Sequence, residues 1–408
     1  MAQVPGETSV RQGPQSPFLL AFGGLIALAA AMGIGRFVYT PILPDMIAGG
    51  VLGGASAGFV AAANFLGYLA GALIAASPLL SGRRTGWITA GLLTSAVTTA
   101  AMALFETEAA FALLRFIGGF ASAIVLVFAT SVVLDGLAVA GRGGLSAVHF
   151  AGVGTGIALS ALLVHAFKGA DLWPQQWIVS GVVTLVAAVG VMAMVREAGP
   201  AGARSGFAAG SLRFDTRLSG LLVAYGLFGF GYVITATFIV AIVRAAPDLA
   251  RYETGIWLMV GLAAAPSVWL WSKLSGAAGI LGAFAIACLV EAAGVIASVA
   301  SSHAAGIFFA AACLGGTFMG LTALGLVAAR TLPVSGGGAR DARRVVALMT
   351  AAFGTGQVLG PTLAGAMFDH TGNYVAASVA AAAALILAAA ITIWILTDLR
   401  KAAATVSV

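Results

Sequence analysis

The chain has 408 residues, 61% of them hydrophobic and 8% charged, where a soluble domain carries roughly 25% charge. Mean hydropathy is +1.05 and net charge +6. This composition excludes a soluble enzyme and a nucleic-acid-binding domain, because the basic residues stand singly in loops and form no run of like charge. The two cysteines, Cys288 and Cys313, lie in apolar segments, and four histidines are scattered. Neither set has disulfide or metal-ligand spacing, so no cofactor and no metal are expected.

In chain order, the stretch before Phe18 is polar, and no short apolar segment with a cleavage site follows it. Twelve apolar runs then approach the roughly 20 residues that a membrane-spanning helix needs. They are predicted at 18–46, 53–77, 85–105, 108–134, 143–167, 173–196, 217–243, 253–273, 278–300, 304–330, 344–368 and 373–397. Backbone polar groups in lipid must be satisfied internally, so these runs read as helices. The expected fold is an all-α membrane protein of twelve transmembrane helices. With the N-terminus inside, the inner side receives Arg11, Arg83, Arg84, Arg142, Arg196, Arg204, Arg213, Arg217, Lys273, Arg330, Arg340, Arg343, Arg344, Arg400 and Lys401. The outer side receives Lys168, Arg244 and Arg251. That asymmetry predicts both termini in the cytoplasm.

Span 1 ends in "GIGRFVYTPILP", which sets Arg36 among hydrocarbon beside Gly33 and Gly35, with Pro41 and Pro44 beyond. A charge at that depth is costly and marks a site by default. The prolines can bend the outer end of the helix, so Pro41 is a candidate gating residue. Tyr39 and Asp45 follow, the latter nearer the outer end and a candidate for proton coupling. On span 2, Asn64 and Tyr68 stand one helical turn apart and share a face. "SGRRTG" between spans 2 and 3 supplies Arg83 and Arg84. Span 4 carries Arg115 near the height of Arg36, both roughly 10 Å below the outer surface at 1.5 Å per residue. Two guanidiniums at one height suit a carboxylate or phosphate held bidentately, although Arg115 could equally bond backbone carbonyls or an acid. Asp135 ends span 4 and Arg330 ends span 10; with Arg83 and Arg84 they are candidates for an inner latch. His149 and His165 on span 5 read as packing residues. "GVGTG" at Gly152 has no preceding strand and is no nucleotide loop.

The central stretch "REAGPAGARSGFAAGSLRFDTR" divides the chain six plus six. The expected domains are a bundle at 18–196, a cytoplasmic loop at 197–216 and a second bundle at 217–397. The halves echo each other at nearly constant offset: "GIGR" at Gly33 answers "GFGY" at Gly229, "SAG" at Ser56 answers "ETG" at Glu253, "FIGGF" at Phe116 answers "CLGGT" at Cys313, and "GTG" at Gly154 answers "GTG" at Gly354. Parallel duplicated halves are a transporter architecture. Tyr232 on span 7 therefore answers Arg36, and Tyr225, Thr235 and Thr237 could share its wall. Glu291 in "CLVEAAG" is the acid set clearly inside a span, and a carboxyl group there can carry a proton. Gln357 lies mid-span on span 11, four residues before Pro361.

Across its whole length the chain resembles the major facilitator superfamily (MFS). "LLRFIGGFASA" resembles that superfamily's motif B with Arg115 in the arginine position. "SGRRTG" resembles a reduced motif A that lacks the upstream aspartate. "GQVLGPTLAG" resembles the glycine–proline motif C, displaced to span 11, which makes Pro361 a second candidate gating residue. "GIGRFVYTPILP" resembles the hallmark of the YbfB/YjiJ-type subgroup. The resemblance implies two pseudo-symmetric six-helix bundles around a cavity touched by spans 1, 2, 4, 7 and 11. It implies a secondary transporter of a bacterial inner membrane, monomeric and proton-coupled, working on a small molecule in the lipid bilayer by alternating access. Arg36, Arg115, Tyr39, Asn64, Tyr68, Tyr232 and Gln357 are the expected substrate-binding residues, and the two arginines favour an organic anion. Export of amphipathic compounds is the alternative within transport. A membrane-embedded enzyme or sensor is the alternative outside it, and dispersed histidines with one mid-span acid give such an enzyme no visible seat.

Overall fold

The computed structural model describes residues 15–77, 79–80, 82–197, 215–331 and 339–406. Most of the expected central loop lies outside the described residues, as do Arg11, Arg204, Arg213 and the side chains of Arg340 and Arg343. Among the described residues every regular element is helical.

Eleven helices are long and apolar enough to cross a membrane, and a bent pair makes a twelfth span. They run Pro17–Ala48, Gly54–Ala76, Arg84–Leu104, Glu108–Val139, Gly143–Ala166, Trp173–Met194 and Thr216–Ala245 in the first seven positions. Span 8 is the bent pair Ala250–Ala264 and Ser267–Ala278, turned by 49°. Spans 9 to 12 are Ile280–Ala300, Ala304–Thr331, Ala339–Thr371 and Val375–Val406. The span expected at 253–273 is present but bent. Pro266 has no N–H to offer the carbonyl of Leu262, and the chain turns there.

Spans 1 to 6 pack among themselves and so do spans 7 to 12, as two six-helix bundles. Span 2 meets span 11, span 5 meets span 8, and the far ends of spans 1 and 7 meet each other. Backbones touch at these seams. A Cβ on Gly58 would stand 2.2 Å from the Pro361 carbonyl oxygen, and one on Gly261 would stand 2.3 Å from the Ala158 nitrogen. Small residues let helices approach closely where lipid supplies no hydrophobic drive. Large apolar side chains cover the outside, among them Val97, Leu113, Val186, Val189 and Leu262. Such a surface would aggregate in water and is at home in hydrocarbon.

Candidate functional site

Span 1 is not a regular helix. After Leu28 it winds one π-helical turn, Ala29–Ile34, then runs through a turn before helix resumes at Tyr39. Gly35 N–H donates to the Ala30 carbonyl at 2.8 Å and Phe37 N–H to Met32 at 3.1 Å, both across five residues. π-bulges of this kind collect at functional sites. Pro41 falls in the first turn of the resumed helix, where a missing N–H is tolerated. Gly33 and Gly35 serve packing rather than ligand approach. A Cβ on Gly33 would sit 2.3 Å from Gly156 Cα of span 5, and one on Gly35 would sit 2.3 Å from Ser95 Oγ of span 3.

The break frees two carbonyls, and Arg115 of span 4 takes both. Its Nη1 donates to Gly35 O at 2.9 Å and its Nη2 to Arg36 O at 2.6 Å. The guanidinium also faces Tyr39 at 5.2 Å and Trp177 at 5.8 Å, leaving its Nε without a partner. Asn64 of span 2 donates to the Arg115 carbonyl at 2.8 Å, and Tyr39 Oη donates to Ala57 O of span 2 at 2.9 Å. Tyr39, Asn64 and Arg115 therefore lock spans 1, 2 and 4 together.

Arg36 is different. It is 4% exposed, and its Nε and Nη2 are buried with no hydrogen-bond partner. Its guanidinium carbon lies 4.0 Å from the Tyr68 ring centroid, 4.6 Å from Phe65 and 5.3 Å from Phe37. Contact with aromatic faces offsets part of the burial cost of a cation, about 2 kcal/mol for a desolvated contact. Arg36 and Arg115 line one small cavity with Phe37, Tyr39, Thr40, Ala61, Phe65, Ala236 and Thr237. No acid stands in that wall.

The second half contributes aromatic surface. Tyr232 lies between Phe318 of span 10 and Phe353 of span 11, nearly parallel to both, with centroids 5.8 and 5.7 Å away. Gln357 Nε2 donates to its Oη. Phe318 in turn meets Phe37 edge-on at 5.9 Å, so this stack reaches the Arg36 segment. Tyr225 donates to Thr322 O at 3.0 Å and joins the same cluster through Phe353. Thr235 is buried with its hydroxyl unpartnered.

The end of the molecule that holds Asp45 is tied across the halves by charge. Arg244 of span 7 bonds Asp45 of span 1 through Nη1 and Glu253 of span 8 through Nε, each at 2.5 Å. Lys168 pairs with Glu253 from the first half. Gln176 Nε2 donates to Asp45 at 2.6 Å. Thr40 Oγ1 donates to Ala236 O at 2.8 Å, and Ala55 N–H donates to Asp369 at 3.2 Å. His165 meets Thr254 at 3.1 Å beside this network, and Pro41 lines a small cavity with both. Lys168, Arg244, Glu253 and Gln176 were not singled out by the sequence.

At the opposite end the ion pairs of Arg84 and Arg217 stay within their own halves. Arg84 bonds Asp135 at 2.5 Å, Glu197 at 2.7 Å and Ser131 at 2.9 Å, all in the first half, and Arg217 pairs with Asp398 in the second. Arg83 is exposed, and neither it nor Arg330 forms an ion pair among the described residues. Glu291 lies apart: it is buried, lines neither cavity, and both carboxyl oxygens lack hydrogen-bond partners. His149 meets Thr130 at 3.0 Å and packs on Phe150.

The fold has solved counterparts. The nucleoside transporter NupG, as a D323A mutant, superposes with a TM-score of 0.72 at 15% identity, over 93% of this chain and 99% of that one. A bacterial homolog of the human lysosomal transporter Spinster, in an inward-facing and occupied conformation, gives 0.68 at 16% identity, over 94% and 98%. No curated protein matches the chain. The family model described as "Uncharacterised MFS-type transporter YbfB" matches residues 28–393. With twelve spans in two bundles around a shared cavity, the chain belongs to this YbfB-type family of MFS transporters.

Proposed function

We propose that the protein is a secondary transporter that moves a small organic anion across a bacterial inner membrane by alternating access, coupled to protons. The observation that carries this reading is Arg36, whose Nε and Nη2 are buried and unpartnered and which lines an interbundle cavity with no acid in its wall. An uncompensated cation in a low-dielectric wall costs several kcal/mol, and an anionic solute removes that cost while bound. Arg115, Tyr39 and Asn64 hold the broken span in shape, the Tyr68 ring stands against the Arg36 guanidinium, and Tyr232 with Gln357 backs the site through Phe318 and Phe37.

The Asp45 end is taken as the outside, following the distribution of basic residues. Its ion pairs tie the two halves together there. Pro41 and Pro361 are the proposed bending points. In the opposite state Asp135 and Arg330, with Arg83 and Arg84, are the proposed tie at the inner end. Proton coupling is assigned to Asp45, because protonating it removes one charge from a bond between the halves. Glu291 has no link to either cavity and takes second place.

The test is uptake into proteoliposomes of solutes matched in size but differing in charge. Arg36-dependent flux of anions, with cations and neutral nucleosides not carried, is the expected result. Flux of nucleosides, or of amphipathic cations, with anions excluded would overturn it. A pH-sensitive dye in the lumen reads coupling. Asp45→Asn should lose substrate-driven proton flux, and loss in Glu291→Gln alone would move the coupling site.

A further inference from the structure

The shape of the free edge narrows the substrate. Resting on the anion reading above, we propose that the ligand is a monocarboxylate with a compact apolar body, of the arylcarboxylate type. Nε and Nη2 are the two nitrogens of a guanidinium whose N–H bonds run parallel along one side. That edge matches the two oxygens of a carboxylate lying in the same plane. The Phe65 and Tyr68 rings stand 4.6 and 4.0 Å from the guanidinium carbon, and the unpartnered N–H groups of Nε and Nη2 direct a ligand to the edge. A second anionic group has no equivalent seat, because both terminal nitrogens of Arg115 are committed to Gly35 O and Arg36 O.

The rest of the wall offers few hydrogen bonds. Tyr39 Oη is given to Ala57 O and Thr40 Oγ1 to Ala236 O. Thr237 is the remaining hydroxyl of the lining residues, and Phe37, Ala61, Phe65 and Ala236 are apolar. A sugar acid would bury several hydroxyls there without partners, at about 1–3 kcal/mol each. A flat ring would lie against phenylalanine and lose nothing.

Isothermal titration of the purified full-length protein with benzoate, benzamide, succinate, gluconate and inorganic phosphate tests this. Benzoate should bind, and the other four should bind at least about tenfold more weakly. Arg36→Lys keeps the charge but not the fork and should weaken benzoate by about tenfold or more. Benzamide binding as tightly as benzoate would overturn the carboxylate head, and this comparison needs no variant. Arg36-dependent binding of phosphate, succinate or gluconate with benzoate silent would overturn the monocarboxylate and leave the anion site standing. Failure of every anion to bind, or equal binding of all by Arg36→Gln, would overturn the anion reading itself.

Discussion

Gly33–Arg36 of span 1 and Gly229–Tyr232 of span 7 occupy the same place in two copies of one bundle, yet they fold differently. The first is broken, with a π turn, two displaced carbonyls and a bare guanidinium edge. The second lies inside one unbroken helix, Thr216–Ala245, with its tyrosine clamped between two phenylalanines and hydrogen-bonded to Gln357. Duplication supplied equivalent positions, and divergence made one a charged, irregular half-site and the other a stiff aromatic wall. Farther along, the two spans meet: Thr40 bonds Ala236 O and Asp45 pairs with Arg244, near-equivalents touching across the axis that relates the halves.

Five substitutions sharpen or break this contrast. Arg36→Ala should weaken binding of an anionic substrate by about 100-fold, the usual scale for removing one partner of a buried charge pair. Tyr232→Ala at the matching position should cost less in affinity, and equal losses would erase the asymmetry. Arg115→Ala should act on stability instead, because two carbonyls at the break lose charged donors worth about 1.5–3 kcal/mol each. A clear drop in the thermal unfolding midpoint, larger than that of Arg36→Ala, is expected. Arg244→Ala leaves Asp45 and Glu253 without their shared cation and should open the Asp45 end. Labelling of Thr237→Cys by an impermeant thiol reagent from that side should quicken by about tenfold, on the scale of 1.4 kcal/mol per decade. Tyr232→Phe removes only the acceptor for Gln357, for about 1 kcal/mol of stability and a small change in binding.

Much of this was legible in the chain. Arg36 and Arg115 stood out because charges inside spans are rare, and the repeat located Tyr232 as the counterpart of Arg36. Their different fates were not legible: which arginine meets the freed carbonyls depends on how far span 4 stands from the break. The bend in span 8 had a visible cause in Pro266, but a mid-run proline does not tell a kink from a helix end. Phe37, Phe65, Phe318 and Phe353 could not be picked from 23 phenylalanines, since apolar runs in lipid carry no hydrophobic period to mark an inner face. The ion pairs of Lys168, Arg244 and Glu253 join residues from loops and different spans, and pattern along the chain does not report such meetings.

The most direct measurement is equilibrium exchange of a radiolabelled organic anion across proteoliposomes holding wild-type protein or Arg36→Gln, with thermal unfolding run in parallel to confirm equal folding. The account predicts rapid exchange by the wild type and exchange at the level of empty liposomes for the variant. Undiminished exchange by a folded Arg36→Gln would contradict it.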